Sequence, residues 1–270
     1  DNTFVGYQSG LVATTATLCT GIGEQSFKAL TTGSWQTAVG SKALQDNTTG
    51  HSNTAVGVGA LKDNTTATNN TAVGTNSMTT STTAASGVAV GAGSLAALTT
   101  GDYNVAVGAA AGDAITTGAG NIAIGHDALS TNTTGNYNTA VGHFALQQST
   151  TVGYNTAFGY QALKVNTTGD ANSAFGREAL LACTTGAANA AMSDRCMSAL
   201  TTGSSNVAGG IFAGGALTTG SWNVALGRQA LQTQTTVGEN VAIGGKALRS
   251  NTTGATNTAI GHASMDANTT

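Results

Sequence analysis

His126 and His143 stand seventeen residues apart, Asp127 follows the first of them, and Glu178 and Asp194 are sixteen apart. Brought together, the imidazoles could share a metal ion, and the carboxylates could serve as acid and base at a glycosidic bond. Neither set is complete. No third ligand recurs beside the histidines, whereas a structural metal site closes with four, and no insertion supplies walls for a pocket around the carboxylates. The glycine words GVGAL at 57–61 and GAGSL at 91–95 lack the preceding strand and following long helix that a dinucleotide or phosphate loop requires. The expectation is a chain without catalytic residues, metal or cofactor, and not an enzyme. The aromatic residues suit binding better. Trp35, Tyr103, Tyr137, Tyr154 and Trp222 are separated by multiples of seventeen, and Tyr7, Phe144, Tyr160 and Phe212 fall in two other recurring positions. Beside Asn and Asp such rings could stack on sugars as a shallow glycan-binding face; being amphipathic, they suit packing against a neighbouring chain equally well.

The shared spacing comes from a repeat that runs through the whole chain. The stretch Ala43 to Thr66, ALQDNTTGHSNTAVGVGALKDNTT, contains ALxxNTT and NTAVG-like words that return every 17 residues, sixteen times in all, without one slip of register. A fixed period of this kind must be settled before any other reading of the fold. Numbering each unit in columns 1 to 17, with Asn53 in column 1 and Gly57 in column 5, shows what each place demands. Columns 13 and 14 are Thr in all sixteen units, column 1 is Asn in thirteen, column 3 is Ala in fourteen, and column 5 is Gly in all but one, where Ser193 replaces it. Each unit therefore occupies the same physical environment.

Column 2 is Thr, Val or Ile in fourteen units and column 4 is a larger apolar residue in fifteen, with small Ala between. This period-two, β-branched word predicts a short strand, ended by the column 5 glycine. A second apolar word, Ala-Leu in columns 8 and 9, is followed by a turn at Thr-Thr-Gly; where column 15 is Val152 or Val237, the Gly comes one place later, at 153 or 238. All 21 charged residues and all four His fall in columns 6, 7, 10, 11, 16 or 17. Because dry interiors exclude unpaired charge, these three pairs predict solvent-facing corners.

The expected fold class is all-β, a parallel β-solenoid or β-roll of sixteen 17-residue coils. Strands stacked about 4.8 Å apart would make a rod of roughly 75 Å. Like residues would then form ladders: Asn53, Asn70, Asn104, Asn121 and Asn138 in column 1, and Thr48, Thr65 and Thr133 in column 13, bonding to their copies in the next coil. Six Asn-Thr-Thr words match the glycan acceptor pattern, but their periodic placement follows from the ladder. Each coil offers only about two large apolar side chains, little against the entropy of ordering its backbone. The column 3 alanines, facing away from columns 2 and 4, would admit another chain closely, so a homo-oligomer, a trimer about a common axis, is expected.

Only 8% of residues are charged, the net charge is −3, and Pro is absent. Nothing here forms the basic footprint of nucleic-acid binding, and no apolar run is long enough to span a bilayer. Cys19, Cys183 and Cys196 lie in unlike columns, which argues against a disulfide framework and for small buried thiols. Residues 1–270 read as one uninterrupted array, and the absence of polar caps at either end suggests a segment of a longer protein.

The words NTAVG, NVAVG and NIAIG, each followed after two variable residues by Ala or Ser, resemble the head repeats of trimeric autotransporter adhesins. The longer unit NTAVGxxALxxNTTG is also similar to repeats of bacteriophage and marine viral tail-fibre proteins. The resemblance covers all sixteen units. It implies a trimeric parallel β-roll, located extracellularly, on a cell surface or on a virion, serving as the structural shaft of a fibre that supports attachment to a host or surface. Other readings are a self-assembling filament without ligand, or an adhesin whose rod surface binds a cell-surface glycan or receptor through the column 17 aromatics. The double Thr also raises ice binding, although adjacent strand residues face opposite sides, so only one Thr column can line a given face.

Overall fold

The structure, a computed structural model, describes residues 1–270. It contains sixteen short strands, one per repeat, and no helix. The chain divides into two compact units, Asp1–Tyr137 and Asn138–Thr270. The first unit holds β1 (Thr3–Val5), β2 (Cys19–Ile22), β3 (Gln36–Val39), β4 (Thr54–Val56), β5 (Thr71–Val73), β6 (Val88–Val90), β7 (Val105–Val107) and β8 (Ile122–Ile124). The second holds β9 (Thr139–Val141), β10 (Thr156–Phe158), β11 (Ser173–Phe175), β12 (Ala190–Met192), β13 (Val207–Gly209), β14 (Val224–Leu226), β15 (Val241–Ile243) and β16 (Thr258–Ile260).

Within each unit consecutive strands pair in parallel, and the register is the repeat itself: Thr54 lies against Thr71, Ala55 against Ala72 and Val56 against Val73. In the second unit Thr156 likewise lies against Ser173 and Phe158 against Phe175. Each unit is thus a parallel β-solenoid in which 17 residues make one coil. Hydrogen bonds join successive coils outside the strands too, as from Leu44 N–H to Ala60 C=O at 3.0 Å and from Asp46 N–H to Lys62 C=O at 2.9 Å.

The glycine of column 5 shows why the period tolerates so little change. Gly57 has φ +136°, and a Cβ built on it would stand 2.5 Å from the carbonyl oxygen of Gly74 in the next coil. A side chain here meets both an unfavourable backbone conformation and the neighbouring carbonyl, which is why fifteen of the sixteen coils carry Gly. Three further places in each coil turn in the left-handed region, most of them without glycine. In one coil these are Lys42, Leu44 and Ser52, with φ of 62°, 49° and 58°. Such conformations are unfavourable for L-residues and persist because the stacked hydrogen bonds on both sides determine them.

The interior differs from the expectation in the phase of the strand. The alanines of column 3 point inward and are buried, as Ala55, Ala72, Ala106 and Ala157 show. Columns 2 and 4 point outward, leaving Val56, Val107, Ile124, Phe158 and Phe175 exposed. The core consists of column 3 and 8 alanines, column 9 leucines such as Leu44, Leu61 and Leu163, buried asparagines of columns 1 and 12, and the apolar residues that replace Asn in column 12, among them Leu30, Leu98 and Ile115. The column 9 leucine, joined or replaced in some coils by a Leu or Ile of column 12, fills the inside of the coil, and in fourteen coils the strand presents Ala to it. The column 3 alanines are therefore core and not a contact surface for another chain.

Candidate functional site

The Thr-Thr-Gly corner, columns 13 to 17, carries the residues with most binding chemistry. Column 13 turns its hydroxyl into the stack: Thr48 Oγ1 donates to Thr65 C=O at 3.0 Å and Thr65 Oγ1 to Thr82 C=O at 3.1 Å. The same carbonyls receive backbone donors, so Thr65 C=O accepts from Thr48, Thr49 and Gly50 N–H. The carbonyl of Thr133 likewise accepts from Thr116, Thr117 and Gly118 N–H and from Thr116 Oγ1. Column 14 is exposed at every unit. Of the two Thr ranks, one is thus spent on the ladder and one faces solvent.

The column 1 asparagines satisfy both sides of the same corner from within. The side-chain oxygen of Asn53 accepts Asn70 N–H at 3.0 Å while its amide donates to Ala67 C=O at 2.9 Å. Asn70, Asn104, Asn121 and Asn138 send their amides to Ala84, Gly118, Gly135 and Val152 C=O at 2.7 to 2.8 Å. The oxygens of Asn70 and Asn104 accept Gly87 and Asn121 N–H, and that of Asn138 accepts Asn155 N–H. Copy-to-copy amide bonds are the minor part of this ladder, as from Asn121 Nδ2 to Asn104 Oδ1 at 3.2 Å. Asn suits column 1 because one side chain both accepts and donates; Asp lacks the donor and Leu lacks both. The glycan-acceptor Asn47, Asn64, Asn132, Asn166 and Asn251 of column 12 are buried in the core.

The column 17 aromatics project outward. Trp35 is 63% exposed and Trp222 68%, and Tyr103, Tyr137 and Tyr154 are exposed as well. Their backbones sit in the left-handed region, from Trp35 at 58° to Trp222 at 62°, which aims each ring away from the coil. Trp35 and Tyr103 in the first unit lie four coils apart, as do Tyr154 and Trp222 in the second. Around Trp222 lies a cavity of about 380 Å³ lined by Thr219, Ser221, Trp222, Gly238, Glu239 and Ala255.

The titratable pairs are placed as ion pairs and buried thiols. Glu178 and Asp194 are not a bare carboxylate pair: Arg195 Nε meets Glu178 Oε2 at 2.8 Å and Arg177 Nε meets Asp194 Oδ1 at 2.8 Å. The Arg177 guanidinium lowers the Asp194 pKa below its ordinary value by hydrogen bonding. His126 Nδ1 lies 3.2 Å from Asp127 in the first unit, and in the second the His143 ring stacks on Phe144 with centroids 3.8 Å apart. No group of three His, Cys, Asp or Glu is placed to hold a metal ion. All three cysteines are free and buried, and burial pushes the Cys183 thiol up to about 11 and that of Cys196 to about 12.

The outward face of columns 2 and 4, with its apolar ladder in column 4, is the feature that the sequence left hidden. Its signal was present in the alternation, which places 2 and 4 together; only the choice of side was wrong. No helix is long and apolar enough to cross a membrane. The class of protein that the fold defines is a parallel β-solenoid repeat protein. Beyond that class the sequence matches no protein-family model and no curated protein.

Proposed function

We propose that this chain is the structural shaft of an extracellular or virion-associated fibre, formed by copies of itself packed through the outward faces of their strands. The observation that carries the reading is the outward apolar ladder of column 4, flanked by the Thr, Val and Ile of column 2. Val56, Val90, Val107 and Ile124 in the first unit, and Phe158, Phe175, Met192 and Ile243 in the second, each stand at least 36% exposed. Contiguous apolar surface of this kind marks an association face. The few charges lie at other columns, so nothing on the face opposes a second copy. The resemblance to trimeric adhesin heads sets the expected number of copies at three. A buried hydrogen-bonded stack without insertions suits a load-bearing spacer, which would hold an attachment function at a distance.

Analytical ultracentrifugation of the native protein, with electron microscopy of the particles, tests this. The expected result is a discrete trimer, dissociated by the triple substitution Val90→Lys, Val107→Lys and Ile124→Lys. A monomer at all accessible concentrations would overturn the assembly. Unlimited filaments would replace the fibre shaft by a ligand-free polymer.

A further inference from the structure

We propose that the cavity at Trp222 is a binding subsite for a neutral pyranoside sugar. The hydrogen-bond ladder is broken locally beside this residue. Two coils earlier the corner is closed by six bonds. Thr201, Thr202 and Gly203 N–H and Thr201 Oγ1 all donate to Thr218 C=O, Ser204 N–H donates to Ser221 Oγ, and Trp222 N–H donates to Ser204 C=O. Between residues 235–239 and residues 252–256 there is no hydrogen bond at all.

The cause is Val237, which occupies the place of the usual column 15 glycine. Its carbonyl is held inward by the side-chain amides of Gln234 and Asn223, and the glycine is displaced to 238. Two small residues then meet at column 16, Gly238 and Ala255, and neither supplies an oxygen to Gly238 N–H. The other coil with this turn is closed instead, because Asp170 Oδ1 accepts Gly153 N–H at 3.3 Å. The opening is thus a property of this coil and not of every Val-Gly turn.

What lines the opening matches a sugar ring. The exposed indole of Trp222 supplies a flat π face, the surface on which the C–H bonds of a pyranose can rest. The Thr219 and Ser221 hydroxyls, the Glu239 carboxylate and the uncapped Gly238 N–H supply donors and acceptors at its margin. The opening is a shallow depression of about 380 Å³, open to solvent, with polar and apolar surface in similar share. Glu239 is the one charged residue in the lining, so a uronate or sialate would meet like charge and a neutral sugar would not.

The test uses the full chain with Trp35→Phe, which leaves Trp222 as the sole tryptophan. Its emission is titrated with methyl glycosides of glucose, galactose, mannose and N-acetylglucosamine, alongside glucuronate and N-acetylneuraminate. A saturable shift with at least one neutral glycoside and none with the acids is expected. Ala255→Asp, which gives Gly238 N–H the cap that Asp170 gives Gly153, is expected to weaken that binding at least tenfold while leaving Trp222 in place. Saturation-transfer NMR on Trp222→Ala should show the signal lost, and circular dichroism should show the fold retained in both variants. The proposal is overturned if no neutral glycoside shifts the emission, if the acids bind equally, or if Ala255→Asp binds as the parent does. Self-association is scored separately and does not enter these outcomes.

Discussion

At the scale of single residues, the column 5 glycine is the strictest backbone requirement in the repeat, and Ser193 is its one exception. Ser193 adopts φ 141°, a conformation otherwise left to Gly57, Gly74 and their copies. A side chain there is strained by about 1 to 3 kcal/mol. Ser193→Gly should therefore raise stability by about 1 kcal/mol, read as an upward shift of the denaturant midpoint. Gly57→Ala should lower it by about 3 kcal/mol or more, because strain is joined by a clash with the Gly74 carbonyl. Equal effects of the two substitutions would show that the backbone relaxes locally and that the stacked register does not constrain it. The glycines themselves were readable from the sequence as turn or close-approach positions. The left-handed leucines of column 9 were not, since Leu carries no sign of that conformation and adopts it only because the coil closes around it.

At the scale of the strand, the sequence displayed the period, the three solvent-facing corners and the two sides of Thr-Ala-Val, and the structure agrees with each. It did not display which side faces in. Alternation sets residues on opposite faces but carries no phase, and the usual preference for burying the larger residue points the wrong way in a coil with so little internal width. The deciding neighbour is the column 9 leucine, which fills the space opposite the strand. Ala106, buried on β7, should therefore resist enlargement: Ala106→Val is expected to cost about 1 to 3 kcal/mol by overpacking. Thr54→Val, on the outward side of β4 and matched by the natural Val88 in the same column, should change stability by less than about 0.5 kcal/mol. Chemical denaturation of the two variants checks both. The reverse order would restore the alanines to the surface. The candidate site was legible to the same degree: the aromatic column could be read from spacing, and Trp222 with it. The opening beside Trp222 could not, because it depends on Val237, Gly238 and Ala255 meeting in consecutive coils.

At the scale of the whole molecule, stability in a repeat stack is built from coil-to-coil contacts, and the three thiols report on them from inside. Cys19 lies in the first unit and Cys183 and Cys196 in the second, all buried and unpaired with one another. Thiolate is the reactive form, and burial holds the Cys183 and Cys196 thiols at about 11 and about 12. Ellman's reagent at pH 8 should therefore label none of the three on mixing and all of them in strong denaturant, with intermediate rates measuring the opening of the unit that holds each thiol. The same burial gives alkaline pH a definite sign. An unfolded thiol loses its proton near the ordinary value of 9.0, so above that pH the unfolded state binds fewer protons than the native one and stability falls. The fall continues until the pH passes the folded-state values. The double substitution Cys183→Ala and Cys196→Ala should abolish that part of the decline between pH 9 and pH 11 while leaving the neutral-pH fold intact. Rapid labelling of the native protein at pH 8, or an alkaline decline unchanged in the double variant, would show that the coils around these cysteines are not closed.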